Sequence, residues 1–193
     1  MTRSNGAEGL TDMGRFLRAL YPIVDATSLV EVRAYFKGGQ MKREFYDDLK
    51  VLEHDALIVA DVADVYVGIA TRRSSANGKK NNLAWINVFF AELDAGGDKP
   101  YTDVTEILDA LDSFKPATSM RVMSGGGVHA YWQLDLPLPL KTPEQIAEFE
   151  TVTRGLQRNL KADKGTWDAS RILRLPDTLW HKKTPPRKVK LVL

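Results

Sequence analysis

The order of elements legible in the sequence predicts an α+β fold with a mainly antiparallel sheet. Three observations carry that expectation. Residues 84–91 are apolar nearly throughout, as in a central strand covered on both faces. Ser124 and the glycines 125–127 join two short strand-like runs, as a hairpin turn would. Around these, the order runs helix, strand, helix, strand, strand, helix, hairpin, helix and tail.

Each element has its own justification. Met13, Phe16, Leu17 and Leu20 repeat at three and four, which predicts an amphipathic helix over 11–21, closed by Pro22. Val30, Val32, Ala34 and Phe36 alternate with Glu31, Arg33 and Tyr35, a half-buried strand that Gly38 and Gly39 turn back. A helix is expected over roughly 41–62 and a strand over 65–70, followed by the exposed loop SSANGKKNN. The apolar strand 84–91 then runs straight into Glu92-Leu93-Asp94. Val104, Ile107, Leu108, Leu111 and Phe114 mark a helix opened by Thr102 or Asp103 and stopped by Pro116. Strands are expected over 120–123 and 128–134. Thr142-Pro143-Glu144-Gln145 offers a cap residue, a proline at the first helical position and a glutamine three on, so a helix should run to about 160. Residues 172–193 read as irregular segments and an edge strand.

The 193 residues suffice for one well-buried domain with a small accessory element. With 44% hydrophobic and 27% charged residues, disordered and fibrous classes are excluded. The sequence contains no apolar run near the roughly 20 residues of a membrane helix, and its first segment is too polar for a secretory signal, so a cytoplasmic protein is expected. Zero cysteines exclude disulfides, iron–sulfur clusters and thiolate zinc sites; any metal is expected on oxygen ligands, and no zinc. Net charge is only +2, yet Lys161, Lys164, His181, Lys182, Lys183, Arg187, Lys188 and Lys190 make the final stretch basic. Such a stretch is either a solvated surface or a phosphate-binding face.

Three segments carry candidate chemistry. Glu92 and Asp94, two apart at a strand end, leave the same face and can converge on divalent cations; a solvated strand end is the alternative. The turn Ser124-Gly125-Gly126-Gly127 before His129 lets backbone amides approach a phosphate, with His129 as a donor; a plain hairpin with one polar residue is the alternative. Asp168, Arg171 and Arg174 share a partly apolar segment. There an acid wants a metal or an ion pair, and arginines hold phosphates bidentately.

Taken in order, the three resemble the motifs of the archaeo-eukaryotic primase superfamily, in its RepB-like and primase-polymerase branch from plasmids, phages and mobile elements. The first is VFFAELDAG from Val88 to Gly96, the second SGGGVHAYWQL from Ser124 to Leu134, the third WDASRILRLPDTLWHKK from Trp167 to Lys183. The flanking FLRALYP and VYVGIATR also have counterparts. Two positions depart from the pattern: Glu92 stands where aspartate is commoner, and Asp177 where glycine is usual. The family's zinc-binding stems are absent.

The resemblance implies a single catalytic domain over 1–193, as the N-terminal part of a longer protein. Its fold would be an RRM-like antiparallel core joined to a small α/β unit, with the site in the cleft between them. It implies a nucleotidyltransferase, a DNA primase and polymerase, acting on a DNA template and primer with dNTP or NTP substrates, in a bacterial, plasmid or phage setting. A helicase or helical domain would assist in cis or in trans. Glu92, Asp94 and Asp168 would bind two Mg²⁺ or Mn²⁺ ions. His129, Ser124, Gly125, Gly126 and Gly127 would grip the nucleotide's phosphates, and Arg72, Arg171, Arg174 and Lys182 would contact phosphate or template. The competing readings are a non-catalytic single-strand-binding module and a metal-dependent nuclease.

Overall fold

The chain builds two main antiparallel sheets that share one apolar interior. The computed structural model describes residues 10–23 and 27–192. Residues 1–9, on which the exclusion of a secretory signal rests, and the final Leu193 lie outside the described residues. The first helix, α1 (Asp12–Leu20), is capped by Thr11 and buries Met13, Phe16, Leu17 and Leu20, the stripe that predicts it. Strand β1 (Val30–Phe36) follows as expected.

Residues 41–62 depart from the expected single helix. They form β2 (Met41–Tyr46) and then α2 (Leu49–Val59). Gly38 and Gly39, at φ 94° and 89°, turn the chain so that β2 pairs with β1 from Val30↔Tyr46 to Tyr35↔Met41. β2 is an edge strand exposed on both faces over its first half, so it lacks the alternation that would reveal it. Asp48 then caps α2, accepting from the Lys50 amide at 2.7 Å.

Strand β3 (Ala63–Gly68) joins β1, and after Ile69 the chain continues as β4 (Ala70–Arg72) in the other sheet. β5 (Leu83–Asp94) is the central strand foreseen, longer by its acidic end. α3 (Val104–Ser113) is capped by Asp103, which accepts from the Glu106 amide at 3.0 Å. β6 (Met120–Met123) and β7 (Gly127–Pro139) form the glycine hairpin, closed by the Ser124 amide on the Gly127 carbonyl at 2.9 Å. β7 runs five residues past its expected end at Leu134. Pro137 and Pro139 conceal that extension, because proline cannot donate to a ladder, and the register against β5 shifts between Ile86 and Val88. α4 (Pro143–Asn159) has the full capping box between Thr142 and Gln145.

The tail supplies β8 (Ile172–Arg174), the ribbon β9 (Leu179–Trp180) with β10 (Arg187–Lys188), and β11 (Lys190–Val192), the expected edge strand. The sheets are β11-β6-β7-β5-β4 and β2-β1-β3-β8. Within the first, β5-α3-β6-β7-α4 gives the strand–helix–strand–strand–helix order of split βαβ folds. One core joins α1, α2, β1 and β3 to β5 and β7; a second packs α3 on the other face of β5 and β7. This is the α+β architecture expected, with an antiparallel core and, among the described residues, four α-helices. No helix among the described residues is long and apolar enough to cross a membrane.

Candidate active site

Alternation along β5 decides where the acids go. Ala91 and Leu93 point into the core under α3, so Glu92 and Asp94 share the opposite face. There Glu92 stands opposite His129 on β7, and Asp94 opposite Gly127. Gly127 permits this pairing: a Cβ there would collide with the Leu93 carbonyl. Glu92 Oε1 lies 4.0 Å from His129 Nε2, and Glu92 Oε2 accepts from Arg171 at 2.6 Å.

His129 is fully buried, with its pKa pushed down to about 3. Burial is the main cause, the Arg174 and Arg171 charges add to it, and Asp94 opposes it. At neutral pH the ring is therefore uncharged, with one donor and one acceptor nitrogen. Its Nδ1 has no hydrogen-bond partner among the described residues. The same holds for Ser124 Oγ, Arg171 Nε, Arg174 Nε and Trp180 Nε1. Buried donors without acceptors are costly, and most of this set carries donors only.

Trp180 on β9 explains two of the glycines. A Cβ on Gly125, whose φ is 92°, would lie 2.8 Å from the indole, and one on Gly126 would lie 3.2 Å away. Arg174 stands 5.2 Å from the Trp180 ring centroid and 5.3 Å from that of Tyr66, and Arg187 donates to the Gly125 carbonyl at 2.7 Å. The indole was not among the residues expected in the site; only its place inside the third motif pointed to it.

Asp168 is placed differently from Glu92 and Asp94. Its carboxylate meets Lys80 at 3.0 Å and accepts from the Ser170 amide and hydroxyl at 2.7 and 2.5 Å. Burial pushes its pKa up, but the Ser170 bonds and Lys80 outweigh this and hold it below the usual carboxylate value. Lys80 also pairs with Glu150 at 2.5 Å, and Lys99 bridges Asp94 and Asp163 at 3.2 and 3.1 Å. Each of the three candidate metal-binding acids therefore faces a cation of the chain itself. No trio of His, Asp or Glu among the described residues is close enough to hold a metal ion. Glu92 and Asp94 do present hard oxygen donors on one face, the donor type that Mg²⁺ and Mn²⁺ take.

Arg72 is a correction. Expected to contact phosphate or template, it is fully buried, bonded to Glu31 at 2.9 and 2.7 Å and to the Ala70 and Ser170 carbonyls at 2.5 and 3.2 Å. Its donors are spent inside the fold. Lys182 lies exposed in the turn after β9. Asp177 adopts the left-handed φ of 64° that suits the glycine usual there, and its carboxylate accepts from the Met13 amide of α1 at 2.9 Å.

Among solved structures, the chain superposes on the archaeo-eukaryotic primase domain of the cyanophage S-2L primase-polymerase with a TM-score of 0.67 at 15% identity, covering 94% of this chain and 88% of that one. The chain has the archaeo-eukaryotic primase fold. Primase RepB′ matches with a TM-score of 0.61 at 16% identity, over 95% of this chain and 56% of its own. The RepB′ catalytic domain in complex with initiator DNA gives the same score and identity over 84% of its length. By sequence, no protein family and no curated protein matches the chain.

Proposed function

We propose that the chain is a template-dependent nucleotidyltransferase, a DNA primase-polymerase that adds nucleotides to a primer 3′-hydroxyl in the replication of a plasmid, phage or mobile element. The observation that carries this reading is the set of buried atoms without a hydrogen-bond partner among the described residues, Ser124 Oγ, His129 Nδ1, Arg171 Nε, Arg174 Nε and Trp180 Nε1, around the face that bears Glu92 and Asp94. A triphosphate offers the many acceptor oxygens these donors lack. Neutral His129 donates one hydrogen bond to a phosphate oxygen, and Arg171 and Arg174 neutralise its charge. Trp180, braced across the glycine turn at Gly125 and Gly126, keeps Arg174 in place.

Glu92 and Asp94, with Asp168 once released from Lys80, would hold the Mg²⁺ or Mn²⁺ ions. Such ions lower the pKa of the attacking hydroxyl and neutralise the leaving pyrophosphate. The likeness to primase structures supports this reading. Purified protein given a primed template, dNTPs and Mn²⁺ should extend the primer, and Asp94→Ala should not. No extension by the wild type across metals and templates would sink the proposal.

The cation facing each of the three acids favours a second reading, a single-strand-binding module without chemistry. That module would bind DNA in a salt-dependent way with no Mn²⁺ site sensitive to Asp94→Ala.

A further inference from the structure

The four-stranded sheet carries a second basic feature, away from Glu92 and Asp94. Arg43 on β2 stands opposite Arg33 on β1, Arg33 opposite Tyr66 on β3, and Tyr66 opposite Arg174 on β8. Direct cross-strand partners lie on one face, so these four side chains form a line across all four strands. At about 4.8 Å per strand the line spans roughly 14 Å. One end is Arg174, beside His129 and Trp180. The other opens into a cavity of about 580 Å³ lined by Arg33, Arg43, Gly78, Lys79, Lys80 and Ser170.

No residue lining that cavity is acidic. Beneath it, fully buried Glu31 pairs with Arg33 at 2.7 Å, Arg43 at 3.0 Å and Arg72 at 2.7 Å. One carboxylate thus answers three guanidiniums, and the excess positive charge faces outward through Arg33 and Arg43. Gly78 lets the loop settle over this network, since a Cβ there would strike the Glu31 carboxylate. Tyr35, 38% exposed, lies on β1 two residues beyond Arg33 and packs edge-on against Tyr66 with centroids 5.5 Å apart. Basic side chains interleaved with an accessible ring are the composition that tracks a single strand: cations for phosphates, an aromatic face for a base.

We propose that this line and its cavity bind the single-stranded DNA template and deliver it to the nucleotide site at Arg174. The identity of the strand as template rests on the function proposed above. At 3.4 Å per phosphate along a stacked strand, roughly 14 Å accommodates about four nucleotides, more than one bound triphosphate needs.

The test is fluorescence anisotropy of a labelled oligothymidylate titrated with protein over a range of salt. Arg43→Gln and Lys79→Gln together should reduce the slope of log K against log salt by about 1.4, which is about ten-fold in affinity near 0.15 M salt. Tyr35→Ala should weaken binding by about five-fold and leave the slope unchanged. Binding of a labelled dNTP with Mn²⁺ should persist in both variants, and this also shows that they fold. An unaltered slope in the double variant, or a loss of dNTP binding with DNA binding intact, overturns the proposal. If the wild type fails to extend primers while these DNA results hold, only the polymerase reading falls and the single-strand site stands.

Discussion

Replacing Arg72 with methionine tests whether this arginine serves the fold or the ligand. The guanidinium is fully buried and makes two contacts to Glu31, at 2.9 and 2.7 Å, with further bonds to the Ala70 and Ser170 carbonyls. Removing one partner of a buried pair costs about 3–5 kcal/mol, because the remaining charge stays buried. Here Glu31 keeps Arg33 and Arg43, so the lower end, about 3 kcal/mol, is expected. That is a large part of the roughly 5–15 kcal/mol that holds a domain together. With a urea m-value of about 2–3 kcal/mol/M, the unfolding midpoint should fall by about 1 M or slightly more. Nucleotide affinity, measured well below the new midpoint, should be unchanged. A midpoint within about 0.2 M of the wild type, together with weakened nucleotide binding, would refute the structural role and restore Arg72 to the ligand.

Other perturbations have equally definite outcomes. His129 has a folded pKa of about 3, below its unfolded value near 6.5, so the folded state refuses a proton that the unfolded state accepts. Its contribution is complete above about pH 6.5 and is lost as pH falls toward 3; between pH 7 and 5 the wild type should lose about 2 kcal/mol that His129→Gln does not, in paired urea titrations. Gly125→Ala would force an alanine to φ 92° with its Cβ 2.8 Å from Trp180, costing about 1–3 kcal/mol and lowering the melting temperature by roughly 5 °C in calorimetry. Lys99→Met frees Asp94 from a partly exposed pair worth about 0.2–1 kcal/mol, so Mn²⁺ binding by calorimetry should tighten by up to about five-fold with little change in stability.

How far the sequence could be read depended on whether a segment's partners were local. The stripe Met13-Phe16-Leu17-Leu20, the Thr142–Gln145 capping box and the hairpin at 124–127 report their own structure, and each formed as expected. β2 did not, because its strand state comes from pairing with β1 and from the turn at Gly38 and Gly39, neither of which leaves an alternation in residues 41–46. The same divide runs through the site. The shared face of Glu92 and Asp94 follows from the two-residue period of a strand and was legible. That Arg72 would point inward to Glu31, 41 residues earlier, and that Asp168 would meet Lys80, are facts of tertiary assembly. Trp180 was hidden for a related reason: its role is to fill the space that Gly125 and Gly126 leave empty, far away in the chain.

The passage from β3 to β4 bears on how a ligand can enter. A single residue, Ile69, separates strands that belong to different sheets, and its amide is tied to the Arg171 carbonyl at 3.0 Å. The strands that carry Glu92 and His129 and the strand that carries Arg174 are therefore tied together at this seam. Hinge closure requires a few residues free to absorb large torsional changes, and this seam has none to spare. A ligand of the kind proposed would then enter by the rotation of side chains, with Arg171 and Lys99 swinging off their carboxylates like bolts from a fixed frame.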